Sequence, residues 1–273
     1  MELTSLGYRT DLALLRLGGT LIEDRGDHLA VMTPDNPTYW WGNFLLLHEV
    51  PTTQAAAQAW LNRFTATFPN AEHRALGFDG RNGTVAELDW FSRQGFTSEA
   101  LVVLTATEVT PPASRNGQAE YRPLSSDEDW QQSVELRMRC NETYEPIAHR
   151  QYVTATVRTN RALTEAGHGH WFGAFLGDQL VSQMGLFAVD GELARFQSVE
   201  TDPDHRRQGL AGSLLHEVSR YGLTELGADQ LVMVADPDYV AIDLYRSVGF
   251  TETETQLQVE RPPATPHVGP QHT

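Results

Sequence analysis

The chain of 273 residues sets 20 Lys and Arg against 36 Asp and Glu, a formal net charge of -16. That balance opposes nucleic acid, where clustered cations supply most of the affinity for phosphates, and no apolar run is long enough to cross a bilayer. The length suits two hydrophobic cores better than one, at about 100–200 residues per domain. Met1 to Gly7 lack the basic flank and apolar core of a secretion signal, and the lone Cys140 has no partner for an internal disulfide, so a reducing cytoplasm is the expected setting.

In chain order, the first patterned segments are an apolar strand at 44–50, a helix at 54–68 and a strand at 74–78. Trp90-Phe91-Ser92-Arg93-Gln94-Gly95-Phe96 follows. The stretch from Thr110-Pro111-Pro112 to Gly117-Gln118 collects turn residues and a Pro pair that continues neither helix nor central strand. This sets a domain boundary, with one domain over 1–112 and a second over 118–260. Beyond the boundary the pattern gives a short strand at 121–124, a helix at 126–139 capped by Ser126 or Asp127, and a helix at 149–165. Strands at 171–176, 180–187 and 193–201 form an antiparallel meander, with a hairpin turn at Asp190-Gly191. A helix at 210–226, a strand at 230–234, a helix at 239–247 and a strand at 251–259 complete an α+β succession. The tail, 261–273, carries four Pro and no apolar period, so a surface or disordered segment is expected.

The most informative segment is Val199-Glu200-Thr201-Asp202-Pro203-Asp204-His205-Arg206-Arg207-Gln208-Gly209-Leu210-Ala211-Gly212, which leads from a strand into an amphipathic helix. A helix N-terminus leaves backbone N–H groups unpaired, and with the helix dipole these make an anion site. Gly209, Ala211 and Gly212 keep side chains away from an approaching pyrophosphate, or else permit close packing of helix on sheet.

Val199-x-Thr201-x-Pro203-x-x-Arg206-x-x-Gly209-x-Ala211 is followed by Asp238-x-x-Ala241-x-x-Leu244-Tyr245-x-x-x-Gly249-Phe250. Together these resemble the GNAT superfamily of acyl-CoA-dependent N-acyltransferases. The resemblance covers most of 121–259. It implies a mixed, mostly antiparallel sheet splayed into a V, with acetyl-CoA in the gap. Backbone groups of Val199, Glu200 and Thr201 would pair with the pantetheine arm, and N–H groups of Arg206, Arg207, Gln208, Gly209, Leu210, Ala211 and Gly212 would hold the pyrophosphate. Asp238 stands where the family often has Asn, and an ionised Asp accepts but does not donate.

Transfer of an acetyl group from a thioester to an amine needs a neutral amine, a stabilised oxyanion and a proton for the departing thiolate. Tyr245, at the family's general-acid position, is expected to be protonated at neutral pH and to supply that proton. Glu200 is the first candidate for the base, with Glu192, Asp202 and a water chain as alternatives. His168-Gly169-His170 lacks further ligands, so no metal is expected.

The first half reads as a worn copy of the second. Phe96 lines up with Phe250, but Val50-Pro51-Thr52-Thr53-Gln54-Ala55-Ala56 stands where the phosphate loop should be, and Phe91 replaces the tyrosine. The expected fold is two tandem GNAT-like domains with one active site, in the second; the Tyr39-Trp40-Trp41 cluster is available to line the acceptor pocket, although core packing is the commoner use of aromatic residues. The expected partner is a small primary amine rather than nucleic acid or membrane. A non-catalytic acyl-CoA sensor is the competing function.

Overall fold

The computed structural model describes residues 1–141, 146–189, 191–238 and 241–263. Asp190 of the expected hairpin turn, Tyr239 and Val240 of the expected helix start, and 264–273 of the tail lie outside these residues.

The first half contains α1 (Leu6–Leu17), β1 (Leu21–Asp24), β2 (His28–Met32), β3 (Phe44–Leu47), α2 (Gln54–Thr67), β4 (Arg74–Phe78), α3 (Asp89–Arg93) and β5 (Thr97–Ala106). The second contains β6 (Glu120–Pro123), α4 (Asp127–Arg139), α5 (Pro146–Glu165), β7 (Gly169–Leu176), β8 (Gln179–Ala188), β9 (Leu193–Thr201), α6 (Leu210–Thr224), β10 (Gln230–Ala235), α7 (Ile242–Val248) and β11 (Thr251–Arg261). Local chemistry sets several of these ends. Ser126 and Asp129 form a reciprocal capping box at the start of α4, and Gly249 in the left-handed region closes α7.

The α+β class and the tandem layout hold, but the halves do not keep separate sheets. All strands join one eleven-stranded sheet in the order β1-β2-β3-β4-β11-β5-β10-β9-β8-β7-β6. The order is nearly symmetric about its centre, where β5 and β11 run antiparallel from Thr97↔Glu260 to Thr251↔Thr105. Each half lends its last strand to the other: β11 pairs with β4, and β5 pairs with β10. The cores follow the strands. Leu257 and Val259 of β11 are buried in the first-half cluster with Phe44, Leu76 and Phe78. Leu104 and Ala106 of β5 are buried in the second-half cluster with Leu214 and Leu231.

Strand alternation sorts the second half into two faces. Phe172, Leu186 and Phe196 pack beneath α6 and α7, whereas Trp171, Phe175 and Phe187 pack against Trp130 of α4 and Val153 of α5. The helix α1 reaches across from the first half to touch β9, β10 and β11. Its Gly7 is required there, since a Cβ would lie 2.1 Å from Oε1 of Gln256. Among the described residues no helix is long and apolar enough to cross a membrane.

Candidate active site

The strands β9 and β10 are parallel neighbours only over Leu193↔Gln230, Ala194↔Leu231 and Arg195↔Val232. Beyond Arg195, β9 continues to Thr201 without β10, which opens the V in the sheet. On its other edge β9 is bulged: Gln197 pairs with Gly185 and Glu200 with Gln183, so Ser198 and Val199 together oppose Met184. Ser198 has φ 47°, a left-handed conformation costing a non-glycine residue on the order of 1–2 kcal/mol. The bulge lifts backbone out of the ladder at the mouth of the V. Below it, Ser182 Oγ fixes the strand end, donating to the Glu200 carbonyl at 2.9 Å and lying 2.8 Å from Thr201 Oγ1.

On the α6 face, the chain turns through Pro203–His205 and enters α6 with Arg207 at φ 59° and Gly209 at φ 75°. Gly209 is the N-cap and offers no side-chain acceptor. The N–H groups of Leu210, Ala211 and Gly212 have no acceptor among the described residues, and the first helical bond runs from Ser213 N–H to the Gly209 carbonyl at 3.1 Å. Arg206, Arg207 and Gln208 are exposed beside this end. The glycines themselves serve packing: a Cβ on Gly209 would meet the Ser114 carbonyl at 2.5 Å, and one on Gly212 would meet Leu244 at 2.9 Å. The interdomain segment therefore braces the loop. Asn116 Nδ2 donates to the Gln208 carbonyl at 2.9 Å, and its N–H donates to Ser213 Oγ at 2.9 Å. Asn116 escaped the sequence reading because it sits in a stretch whose composition signals only a turn.

On the opposite face lies a cavity of about 140 Å³ between α1, α4, α5 and the open part of the V. Arg137, Arg195, Gln197, Ser198 and Val234 line it from the second half. The first half adds Asp11, Tyr39 and Trp41. Trp40 instead stacks on His73 in the first-half core, at 5.8 Å and 14°. Arg195 Nη2 lies 2.7 Å from Asp11 Oδ1, and Arg137 Nε lies 3.2 Å from Glu200 Oε1. Burial opposes the charge of Arg137, and Glu200 with Tyr152 outweighs it. Burial raises the Asp11 carboxyl above the usual range against the pull of Arg195 and Gln256. It also raises the phenols of Tyr39 and Tyr152, which stay protonated.

The expected site residues fall into four places. Val199, Glu200 and Thr201 flank the V, and Arg206 through Gly212 form the helix entrance. Asp238 lies in the exposed turn after β10, its N–H bonded to Asp236 Oδ1 at 2.8 Å. Tyr245 is 2% exposed within the α7 core. Both Glu200 oxygens are engaged, Oε1 by Arg137 and Oε2 by Gln183 Nε2 at 2.7 Å, so accepting a proton from an amine would cost one of these contacts. The Cys140 thiol, pushed up to about 12 by burial and Glu200, is no nucleophile. Among the described residues no group of three His, Cys, Asp or Glu could hold a metal. Arg137, Arg195, Asp11 and Tyr152 were missed. Arg195 left a signal, a charge inside the apolar strand Leu193-Ala194-Arg195-Phe196.

The gap between β9 and β10 thus has an uncapped helix end on one face and a cavity on the other. Residues 130–250 match the acetyltransferase (GNAT) family model. That match lies wholly within the second half of the chain and covers less than half of its length. Among solved structures, a conserved protein of unknown function from Staphylococcus epidermidis is 14% identical with a TM-score of 0.66, covering 88% of this chain and 93% of its own. A GCN5-related N-acetyltransferase from Kribbella flavida is 16% identical with a TM-score of 0.62, covering 94% and 97%. A tandem GNAT protein from the clavulanic acid biosynthesis pathway is 13% identical with a TM-score of 0.53, covering 81% and 74%. At these identities the likeness is one of fold. No curated protein matches the chain.

Proposed function

We propose that this protein is an N-acetyltransferase that moves an acetyl group from acetyl-CoA to the primary amine of a small molecule, with one active site per chain. The observation that carries this reading is the pair of approaches to the bulged β9: the α6 N-terminus on one face and the cavity on the other. The working unit is 118–260 completed by β5 from the first half.

In this reading the N–H groups of Leu210, Ala211 and Gly212, with Arg206 and Arg207 beside them, hold the pyrophosphate, and Val199 to Thr201 hold the pantetheine arm. Asp238 borders the same opening. The amine nitrogen attacks the thioester carbon from the cavity side, and an N–H freed by the bulge stabilises the oxyanion. The C–N bond forms, the C–S bond breaks, and the amine loses a proton. Tyr245 donates a proton to the departing sulfur, giving an amide and free coenzyme A. Glu200 remains our candidate base, reached when substrate displaces Arg137 or Gln183 from it, and in the resting site it holds Arg137 in the cavity wall. The expected compartment is the cytoplasm.

Burial of Tyr245 favours a second reading, an acyl-CoA sensor without turnover. Saturating coenzyme A at about 100 times its Kd stabilises the fold by about 2.7 kcal/mol in both cases. Release of free thiol across an amine screen separates them. Thiol release supports the enzyme, and coenzyme A binding without it supports the sensor.

A further inference from the structure

The cavity that receives the acceptor has an uneven set of polar groups. Arg137 and Arg195 are 8% and 4% exposed, deep enough that every guanidinium N–H needs a partner. Each guanidinium carries five donors. The Nη2 of Arg195 meets Asp11, yet its Nε and Nη1 have no hydrogen-bond acceptor. Arg137 reaches Ser198 Oγ through Nη2 at 3.4 Å and lies against Glu200 and the Tyr152 hydroxyl, while among the described residues its Nη1 meets no acceptor at hydrogen-bond geometry. Burying unmatched donors is costly. Two such side chains in the wall of one cavity turn donors toward whatever occupies it, water or a ligand.

We propose that the acceptor substrate is a small amine that also bears a carboxylate, an amino acid or closely related amino carboxylate, whose carboxylate is held by the unmatched donors of Arg195 and Arg137. The Nε and Nη1 hydrogens of one guanidinium point to different edges, so each arginine offers the carboxylate one charge-assisted hydrogen bond and the pair together holds it. The charge already present sets the ligand's charge. With Asp11 and Glu200 beside the two arginines the cavity is near neutral, so it admits a single carboxylate at lower cost than a phosphate dianion. Size agrees, since a cavity of about 140 Å³ accommodates a small amino carboxylate. Tyr39, Phe44 and Tyr152 give the ligand's carbon skeleton an aromatic wall. Because the first half supplies Asp11 and Tyr39, the silent copy takes part in choosing the acceptor.

This inference rests on the acetyl-transfer reading, and the test separates the two. Thiol release from acetyl-CoA is measured with the protein amino acids and, in parallel, with their methyl esters, which keep the amine and lose the charge. For the preferred side chain, kcat/KM should favour the free acid by on the order of 100-fold. In the double variant Asp11→Asn/Arg195→Met, which leaves no lone carboxylate buried, that preference should fall at least tenfold. Arg195→Lys, which keeps the charge and loses the planar guanidinium, should fall in between. Thermal unfolding checks that the variants fold. Equal use of acid and ester, or a preference unchanged in the double variant, overturns the proposal while leaving acetyl transfer standing. If no amine releases thiol, acetyl transfer fails and calorimetry with the amino acids alone decides about the cavity. Binding that the double variant loses supports the carboxylate site, and no binding overturns it.

Discussion

The two halves repeat one succession of strand, helix and strand, and differ at the two points where the proposed donor site opens. In the first half, β3 pairs with β4 through its final residue Leu47, and the N–H of Asp79 extends the ladder by bonding the Leu47 carbonyl at 2.7 Å. In the second, β9 leaves β10 after Arg195. The helix α2, which follows β3, is capped by Thr53, whose Oγ1 accepts from Ala56 N–H at 3.2 Å, while its counterpart α6 begins at Gly209 with no side-chain cap. A filled cap stabilises a helix. An empty one leaves donors for a ligand. One gene-length pattern has thus yielded a closed scaffold and an open site, and the exchange of β5 and β11 makes each dependent on the other.

The largest expected effect strikes that dependence. Leu257→Ala alters second-half sequence but empties space in the first-half core, so denaturant unfolding should show a loss of about 2–5 kcal/mol in one shared transition. Two separated transitions would contradict the exchange. Next comes Tyr245→Phe, which copies Phe91 into the second half: kcat should fall roughly 100-fold, about 2.7 kcal/mol, with coenzyme A affinity almost unchanged.

A smaller effect concerns Glu260 on the exchanged β11. Burial and the nearby Glu99 raise its carboxyl to about 7, against the pull of the Trp41 N–H. A carboxyl raised on folding contributes stability that is fully present below its unfolded pKa, near 4.5, and is lost as pH rises through about 7. Glu260→Gln should therefore stabilise the protein by about 1–2 kcal/mol more at pH 8 than at pH 5. A pH-independent effect in chemical denaturation would remove Glu260 from that role. The smallest change is Thr53→Ala, which should cost about 1 kcal/mol of stability and leave acetyl transfer untouched, since that cap belongs to the closed half. A loss of turnover without loss of stability would contradict the assignment.

The second half was legible because its elements follow local rules. Apolar periodicity locates α4, α6 and β7 to β11 within a few residues, and the Arg206-to-Ala211 spacing points to the helix entrance. The first three elements of the chain went unread, because α1 mixes apolar and charged residues around Gly7 and its buried face is defined by β9 to β11, which come much later. Strand exchange is likewise invisible, since β5 and β11 have the same apolar alternation whichever half they complete. The cavity was half legible. Tyr39 and Trp41 border it while Trp40 and Trp41 are buried in the first-half core, and Asp11, Arg137 and Arg195 meet only through tertiary packing. Gly209 and Gly212 keep their importance for a different reason, since their missing side chains make room for Ser114 and Leu244.

Calorimetric titration with coenzyme A tests the central claim most directly. The account predicts one molecule bound per chain, with binding abolished by Arg206→Ala/Arg207→Ala and retained in Thr53→Ala. Two molecules per chain, or undiminished binding after both arginines are removed, would contradict it.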